Sequence, residues 1–300
     1  MVKKTNNLTI VIVTYLTKRD ILLNCLESID KNFKVLIVEN SKKFPNKNFF
    51  LKKFSNLEII CSGTNLGYGK GNNFGLVRTK TDFALILNPD TILENNFFVN
   101  VKKIIKSENF SIIGCQYKND KIFMPAGYFD AKKNKKFREN FFIKKTKKLI
   151  KVDWVVGCAM LLNLDKFKNR KLFDENFFLY FEESDFCLRA SKENKNYQIN
   201  DIQLSHNVGT SVTTQNENEK NELKKLYTWH FIWSKFYYYK KNYSYIGALL
   251  YFMPIIIRII FKIELNRILG NSIKKEHYEI RLNGLNRSIR GLSSNKRIIK

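Results

Sequence analysis

Apolar, mostly β-branched residues run through Leu8-Thr-Ile-Val-Ile-Val-Thr14, which predicts a strand covered on both faces. Ile21, Leu22, Cys25, Leu26 and Ile29 follow at the spacing of one helical face. Lys34 to Val38 and Leu57 to Ile60 give two more short apolar runs, and Phe83 to Leu87 another that stops abruptly at Asn88-Pro89-Asp90. Between the last two, the glycine-rich segment Gly67 to Leu76 opens a further helix. Strands alternating with helices predict an α/β domain whose sheet is mostly parallel and flanked by helices. In open sheets of this kind ligands gather at the carboxyl ends of the strands, so chemistry is expected at the tips after Val13, Val38 and Leu87.

Farther along, Val152 to Leu162 reads as one strand, and Asp174 to Ala190 as an aromatic and acidic segment running into a helix. The lysine-dense stretch Lys132 to Lys151, nearly without balancing acid, reads as a mobile basic loop. Beyond Asn218 the character changes: Leu223, Leu226, Tyr227, His230, Phe231 and Ser234 share a helical face, and an aromatic cluster follows. Tyr245 to Ile257 carries no charge, yet it falls short of the roughly 20 residues a bilayer span needs. Pro254 is expected to bend this run and Arg258 to end it. It reads either as a helix in the headgroup region, with Tyr245, Tyr251 and Phe252 at the interface, or as a helix packed on the main domain. The division this predicts is a catalytic domain over residues 1–217 and a basic, aromatic helical extension over 218–300.

Composition narrows the function classes. Hydrophobic residues at 44% and aromatics at 14% exclude a disordered chain. The five cysteines are scattered without metal-ligand spacing and read as reduced, mostly buried thiols of a cytosolic protein. Leu8 to Leu16, which follows Lys3 and Lys4, is too short and too rich in threonine for a signal peptide. A formal net charge of +26 over 300 residues implies a polyanionic partner, whether nucleic acid, anionic lipid or a phosphorylated substrate. Charge alone does not choose among them, and the general abundance of Lys, Asn, Ile and Phe is as good a source for any one lysine.

Three clusters carry candidate chemistry. The first joins Val38-Glu39-Asn40-Ser41 to Asn65-Leu-Gly-Tyr-Gly-Lys-Gly-Asn-Asn-Phe-Gly75, where glycines permit close backbone approach and a helix N-terminus offers N–H groups to phosphate; an ordinary tight loop has the same composition. The second is Asn88-Pro89-Asp90, whose carboxylate suits a hard divalent cation or, as plainly, caps the next turn. The third puts Glu182, Glu183 and Asp185 at the start of a helix behind an aromatic wall. It offers a general base, or else helix-dipole stabilisation with an Asp185 to Arg189 pair.

The order and spacing of these clusters, with Thr14-Tyr15 after the first strand, Trp154-Val-Val-Gly157 and Phe173-Asp-Glu-Asn-Phe-Phe-Leu-Tyr-Phe-Glu-Glu-Ser-Asp185, resemble family 2 glycosyltransferases, above all the rhamnosyltransferase-like members that build surface polysaccharides. The likeness covers about residues 8–215. It implies a GT-A fold with a C-terminal helical extension, direct displacement that inverts the anomeric centre, and a divalent metal, Mg²⁺ or Mn²⁺. Under this resemblance Asp90 is the metal-binding acid of a DxD-type motif in which Asn88 stands for the first Asp, and His206 lies near the metal and diphosphate. Thr14, Tyr15, Glu39, Asn65, Gly67 and Asn73 match the nucleotide-sugar side, and Trp154 and Gly157 the acceptor side. Glu183, with Glu182 beside it, matches the proposed base. Taken alone, His206 reads as a satisfied surface or core histidine. Two departures stand out: the usual Glu-Asp pair is Glu182-Glu183 here, and Lys42 and Lys43 occupy positions where the family tends to place another Asp.

The resulting expectation is a hexosyl or deoxyhexosyl transferase that takes a nucleotide-diphospho-sugar donor and a lipid-linked glycan acceptor. It is expected in the cytoplasm, peripheral at the inner face of the membrane, drawn there by an anionic surface; no nucleic acid is expected as a partner. Rival readings are a transferase acting on a polyprenyl phosphate or a protein, a nucleic-acid-binding protein, and a non-catalytic assembly partner.

Overall fold

A computed structural model describes residues 7–117, 125–141, 149–193, 195–206 and 211–294. The chain divides into two compact units, one of residues 1–173 and 186–213, the other of 174–185 and 214–300. The segment 174–185 therefore groups with the C-terminal helices and not with the sheet.

The first unit opens with the alternation the sequence predicts: β1 (Leu8–Thr14), α1 (Arg19–Glu27), β2 (Lys34–Glu39), α2 (Lys47–Lys53), β3 (Leu57–Cys61), α3 (Tyr68–Leu76) and β4 (Phe83–Leu87). It continues through β5 (Thr91–Leu93), α4 (Phe97–Ser107), β6 (Ile112–Tyr117), β7 (Ala126–Gly127), α5 (Ala131–Phe141), β8 (Leu149–Val152), β9 (Trp154–Val155) and β10 (Ala159–Asn163). It closes with α6 (Glu182–Glu193), whose first turn belongs to the other unit, and β11 (Asn196–His206). The central sheet runs β3-β2-β1-β4-β10-β6-β11-β5, with β8 beside β11. Strands β3, β2, β1 and β4 are parallel, β10 lies antiparallel between β4 and β6, and β6 and β11 are parallel.

Both faces of β1 are covered, which is why its sequence shows no alternation. Leu8, Ile10 and Ile12 join one buried cluster with Leu22, Phe50, Phe97 and Val101, while Val11 joins another with Leu76, Ile86, Met160 and Phe186. Each such side chain contributes about 1.5–3 kcal/mol on burial. Helix α3 reaches the sheet closely because it presents glycine: a Cβ on Gly75 would stand 2.6 Å from Val11 Cγ1, and one on Gly71 would stand 2.9 Å from Val13 Cγ1. Four of the five cysteines are buried and Cys61 is exposed, all as free thiols.

Two expectations for this unit are corrected. The stretch from Val152 to Leu162 is not one strand: Trp154 and Val155 leave to pair with β7, and a turn at Gly157 and Cys158 separates them from β10. Within the lysine-dense stretch, residues 131–141 form α5 and 149–152 form β8; residues 142–148 lie outside the described residues.

The second unit packs α7 (Glu217–Asn242), α8 (Tyr245–Ile268) and α9 (Ser272–Ile289) around Ile232, Phe236, Phe252, Ile259, Ile263 and Leu285. Each helix starts on a side-chain cap: the Glu219 amide donates to Asn216, that of Gly247 to Ser244 and that of Lys274 to Asn271. Helix α8 overrides the sequence expectation. It passes through Pro254 and Arg258 and ends only before Gly270, whose φ of +64° suits a glycine stop. By length and composition it is long and apolar enough to cross a bilayer, which the uncharged run alone is not. The stripe Ala248, Phe252, Ile259 and Ile263 explains its persistence, since packing outweighs the cost of about 3 kcal/mol for an interior proline.

Candidate active site

Parallel pairing brings Thr14 opposite Glu39 at the adjacent tips of β1 and β2. The Thr14 hydroxyl donates to Glu39 Oε2 at 2.6 Å, with both residues buried. Burial pushes the Glu39 carboxyl above its ordinary range, against the opposing hydrogen bonds from Thr14 and Ser41. Asn40 continues the line: its backbone N–H donates to Thr14, and its side-chain amide donates to the Gly67 carbonyl at 2.9 Å. Gly67, with φ +79° and ψ −174°, holds a backbone conformation that only glycine adopts without strain, and its N–H donates to Asn65 Oδ1 at 3.0 Å. Thr14, Glu39, Asn65 and Gly67 are thus brought together. Tyr15 stands half-buried on the loop leaving β1. Asn73 is not at this tip: its buried amide exchanges hydrogen bonds with the Phe173 backbone at 2.8 and 3.0 Å and so fastens α3 to the chain ahead of residue 174.

The second half of the site forms where β4 leaves the sheet. The Asn88 N–H donates to the Cys158 carbonyl, and the Thr91 hydroxyl returns to the Asn88 carbonyl at 2.6 Å, which closes the turn through Pro89. Antiparallel pairing of β5 with β11 sets His206 opposite Thr91. His206 Nε2 consequently lies 3.2 Å from Asp90 Oδ1 and 3.5 Å from Asn88 Nδ2. The Ser211 hydroxyl donates to Asp90 Oδ2 at 2.6 Å. Asp90 is 3% exposed, and burial alone would raise its pKa. The hydrogen bonds from His206 and Ser211, with the His206 charge, outweigh that and hold it below the usual carboxylate range.

The loop after β1 is tied to this corner, since the Thr17 hydroxyl donates to the Ser211 carbonyl at 2.7 Å and Leu16 accepts from the Thr213 N–H. Leu16 itself has φ +53°, a costly conformation for leucine of the kind that clusters at functional sites. On the far side the Tyr68 hydroxyl donates to the Gly157 carbonyl, and a Cβ on Gly157 would meet that hydroxyl. Trp154 is half-buried, its indole N–H directed at the Tyr128 carbonyl. Tyr68, inside the glycine-rich segment, and Ser211, five residues beyond His206, are the members of this arrangement that the sequence did not single out. Residues 207–210, between His206 and Ser211, lie outside the described residues.

Asp90 and His206 present one carboxylate and one imidazole, a donor pair a divalent cation accepts. No third His, Cys, Asp or Glu completes a cluster among the described residues. Such a pair fits a cation whose remaining positions are filled by substrate oxygens and water.

In the helical unit, the segment 174–185 is clamped to α7. Lys241 Nζ stands 2.7 Å from Asp174 and 2.9 Å from Asp185, the Tyr237 hydroxyl donates to Asp174, and the Ser234 hydroxyl donates to the Leu179 carbonyl. The sequence paired Asp185 with Arg189. The structure gives the Asp185 carboxylate Lys241 and Asn242, and directs Arg189 to the Leu172 carbonyl. Just before the acids, Tyr180 and Phe181 have φ of +70° and +68°, held by ring contacts with Tyr227, Phe231 and Tyr238. Two successive strained residues at the entry to α6 fix where Glu182 and Glu183 begin. Burial pushes Glu182 well above the ordinary carboxylate range, and the Glu183 charge pushes it further; burial raises Glu183 as well. A carboxylate so tuned takes up a proton more readily near neutral pH, as a general base must.

Comparison with known proteins identifies the family. The family model described as glycosyl transferase family 2 matches residues 9–170. The low-salt glycan biosynthesis hexosyltransferase Agl10 of Haloferax volcanii is 29% identical over 69% of this chain and 69% of its own. The rhamnosyltransferase WbbL of Escherichia coli is 24% identical over 57% of this chain and 70% of its own. The dTDP-rhamnosyl transferase RfbF of Shigella flexneri is 24% identical over 68% and 70%. Among solved structures, S. aureus TarS 1-349 in complex with UDP superposes with a TM-score of 0.52 at 12% identity, over 95% of this chain and 90% of that one. GalNAc-T7 with UDP, GalNAc and Mn²⁺ gives 0.53 at 12% identity, over 77% of this chain and about half, 49%, of that one. At such identities the likeness concerns the fold.

Proposed function

The chain belongs to glycosyl transferase family 2 and is a glycosyltransferase of glycan biosynthesis, and we propose that it moves a hexose or deoxyhexose, rhamnose among them, from a nucleotide diphosphate to a lipid-linked glycan. The observation that carries this reading is the convergence of Asp90, His206, Asn88 and Ser211 at the tip of β4, beside the Thr14 to Glu39 tip. That is where a sheet of this kind places a nucleotide and its phosphates.

In the proposed reaction, Thr14, Glu39, Asn65 and Gly67 line the nucleoside side, with Tyr15 on the loop beneath the base. Asp90 and His206 hold a divalent cation, Mg²⁺ or Mn²⁺, which supplies positive charge to the departing diphosphate. Ser211 fixes the orientation of Asp90 through its hydrogen bond, and Asn88 stands beside His206. Trp154 and Gly157 face the acceptor. Glu183 takes the proton of an acceptor hydroxyl while that oxygen bonds the anomeric carbon from the side opposite the diphosphate; the bond to the diphosphate breaks and the configuration inverts. The neighbouring Glu182, held high, keeps a second negative charge away from Glu183. The enzyme works at the inner face of a membrane, where a lipid-linked acceptor resides.

The test is a panel of UDP- and dTDP-sugars with purified protein, a lipid-linked acceptor extract and either cation. Transfer that needs both donor and cation supports the reading. Transfer to oligosaccharide or protein in the absence of lipid, or equal transfer in a chelator, would overturn the acceptor and the metal respectively.

A further inference from the structure

Twelve of the nineteen large apolar side chains exposed among the described residues fall between Tyr243 and Ile273. On α8 they form a stripe: Ile246, Leu250, Met253, Ile257, Ile260 and Phe261 are 47–70% exposed, on the side away from the packed face of Ala248, Phe252, Ile259 and Ile263. From Tyr243 to Ile263 there is no acid, whereas Arg258 and Lys262 lie within it. An apolar face of this extent is unusual on a soluble surface and marks a contact. The lysine- and arginine-bearing α7 and α9 pack against the opposite face of α8, so this unit offers a surface to a bilayer and not a span.

Beside the stripe is a cavity of about 200 Å³ into which each helix sends one cation: Lys235 from α7, Arg258 from α8 and Arg281 from α9. Its wall is otherwise apolar or aromatic, with Ile255, Ile259 and Tyr278, and it contains no acid. Three like charges drawn around one small concavity repel one another unless an anion joins them. Arg258 also adjoins the stripe, being one helical turn from Pro254 and from Phe261. The anion that satisfies both features has a phosphate attached to hydrocarbon.

We propose that this cavity seats the phosphate of an anionic membrane lipid while the outer face of α8 beds into the boundary between headgroups and acyl chains. The helical unit then holds the enzyme on a negatively charged leaflet, with α8 lying in its plane. The inference deepens the membrane placement proposed above and rests on it, but it requires nothing of the donor, the base or the cation.

The experiment is sedimentation of the full-length protein with vesicles of phosphatidylglycerol and phosphatidylcholine, pure phosphatidylcholine vesicles, and inorganic diphosphate in lipid-free buffer. Three proteins are compared with the unaltered one: Lys235→Gln with Arg258→Gln and Arg281→Gln; Leu250→Gln with Ile257→Gln; and Lys31→Gln with Lys47→Gln and Lys52→Gln, which removes the same charge from exposed positions of the first unit. Circular dichroism melts verify that each is folded. The expected result is binding to the anionic vesicles that falls about a hundredfold in the cavity variant, at roughly fivefold per cation, and about tenfold or more in the stripe variant, with the distant variant unchanged. Absence of binding to any vesicle overturns the membrane placement together with the site. Binding that falls equally in the distant variant overturns the cavity and leaves general charge attraction. Diphosphate binding in lipid-free buffer that is lost in the cavity variant, apart from what the donor site retains, overturns the lipid assignment, and a dimer in solution that the stripe variant dissociates assigns the face to a second copy instead.

Discussion

His206 Nε2 stands 3.2 Å from Asp90 Oδ1 because β5 and β11 pair with Thr91 facing His206. The Ser211 hydroxyl takes the other carboxylate oxygen, so Asp90 is engaged on both sides by groups that favour its charge. Replacing Asp90 by Asn removes the carboxylate from both the cation and the imidazole. Transfer is expected to fall by about 10²- to 10³-fold, the size of other losses of charge stabilisation at a reacting centre. Nucleotide-dependent thermal shift with and without Mn²⁺ separates the causes: in the variant the shift no longer depends on the cation.

The same carboxylate gives a pH prediction. Its folded-state pKa is depressed, so its contribution to stability is present above the unfolded value, near 3.8, and is lost as pH falls through the folded one. Stability measured by denaturant from neutral pH downward should decline less in Asp90→Asn than in the unaltered protein. Parallel decline in the two would show that the hydrogen bonds from His206 and Ser211 carry no net charge preference.

Glu183→Gln tests the base. The amide keeps the side chain's size and can no longer accept the hydroxyl proton, so transfer is expected to drop about 10²- to 10⁴-fold while the donor's thermal shift is retained. Full turnover by this variant would remove Glu183 from the mechanism. Glu182→Gln should act in the opposite sense on stability. A carboxyl whose folded pKa is raised is stabilising below the unfolded value, near 4.5, and loses that contribution as pH rises through the folded one. The variant should melt a few degrees higher at neutral pH, with the gain vanishing in acid.

The sheet was legible wherever burial on both faces left an unbroken apolar run, as in β1, β2 and β4. Strand β11 was not, because it buries Asn196 and Gln198 among its residues and shows no apolar period. The Asp90 turn could be read from Asn-Pro-Asp at a strand end. The approach of His206 followed only from the resemblance and not from the residues themselves, since it depends on the register of two strands remote in sequence. Helix α8 was cut short because Arg258 looks like an end; a side chain that projects from the packed face does not interrupt a helix whose other face is buried.

Gly71 and Gly75 were read as part of a loop that lets a nucleotide approach, whereas the structure gives them a packing reason. Gly75→Ala would place a Cβ 2.6 Å from Val11 Cγ1 and 3.0 Å from Val38 Cγ2, both in buried strands. Overpacking of this kind costs about 1–3 kcal/mol. The melting temperature should fall, and Val11→Ala in the same chain should recover part of the loss; absence of any recovery would mean that α3 shifts as a whole.

Lys241 is the residue on which the acidic segment depends. Its ammonium lies between Asp174 and Asp185, the second of which is fully buried. Lys241→Met leaves a buried carboxylate without its cation, and breaking such a pair costs about 3–5 kcal/mol, toward the lower end here because Lys241 itself is 27% exposed. Because Glu182 and Glu183 stand on the same first turn of α6 as Asp185, the variant should lose transfer activity at temperatures where it remains folded. Adding Asp185→Asn removes the stranded charge and should restore most of the stability. If stability returns and activity does not, the ion pair orients the acids; if both return together, it serves folding alone, and the two results are read from one set of melts and rates.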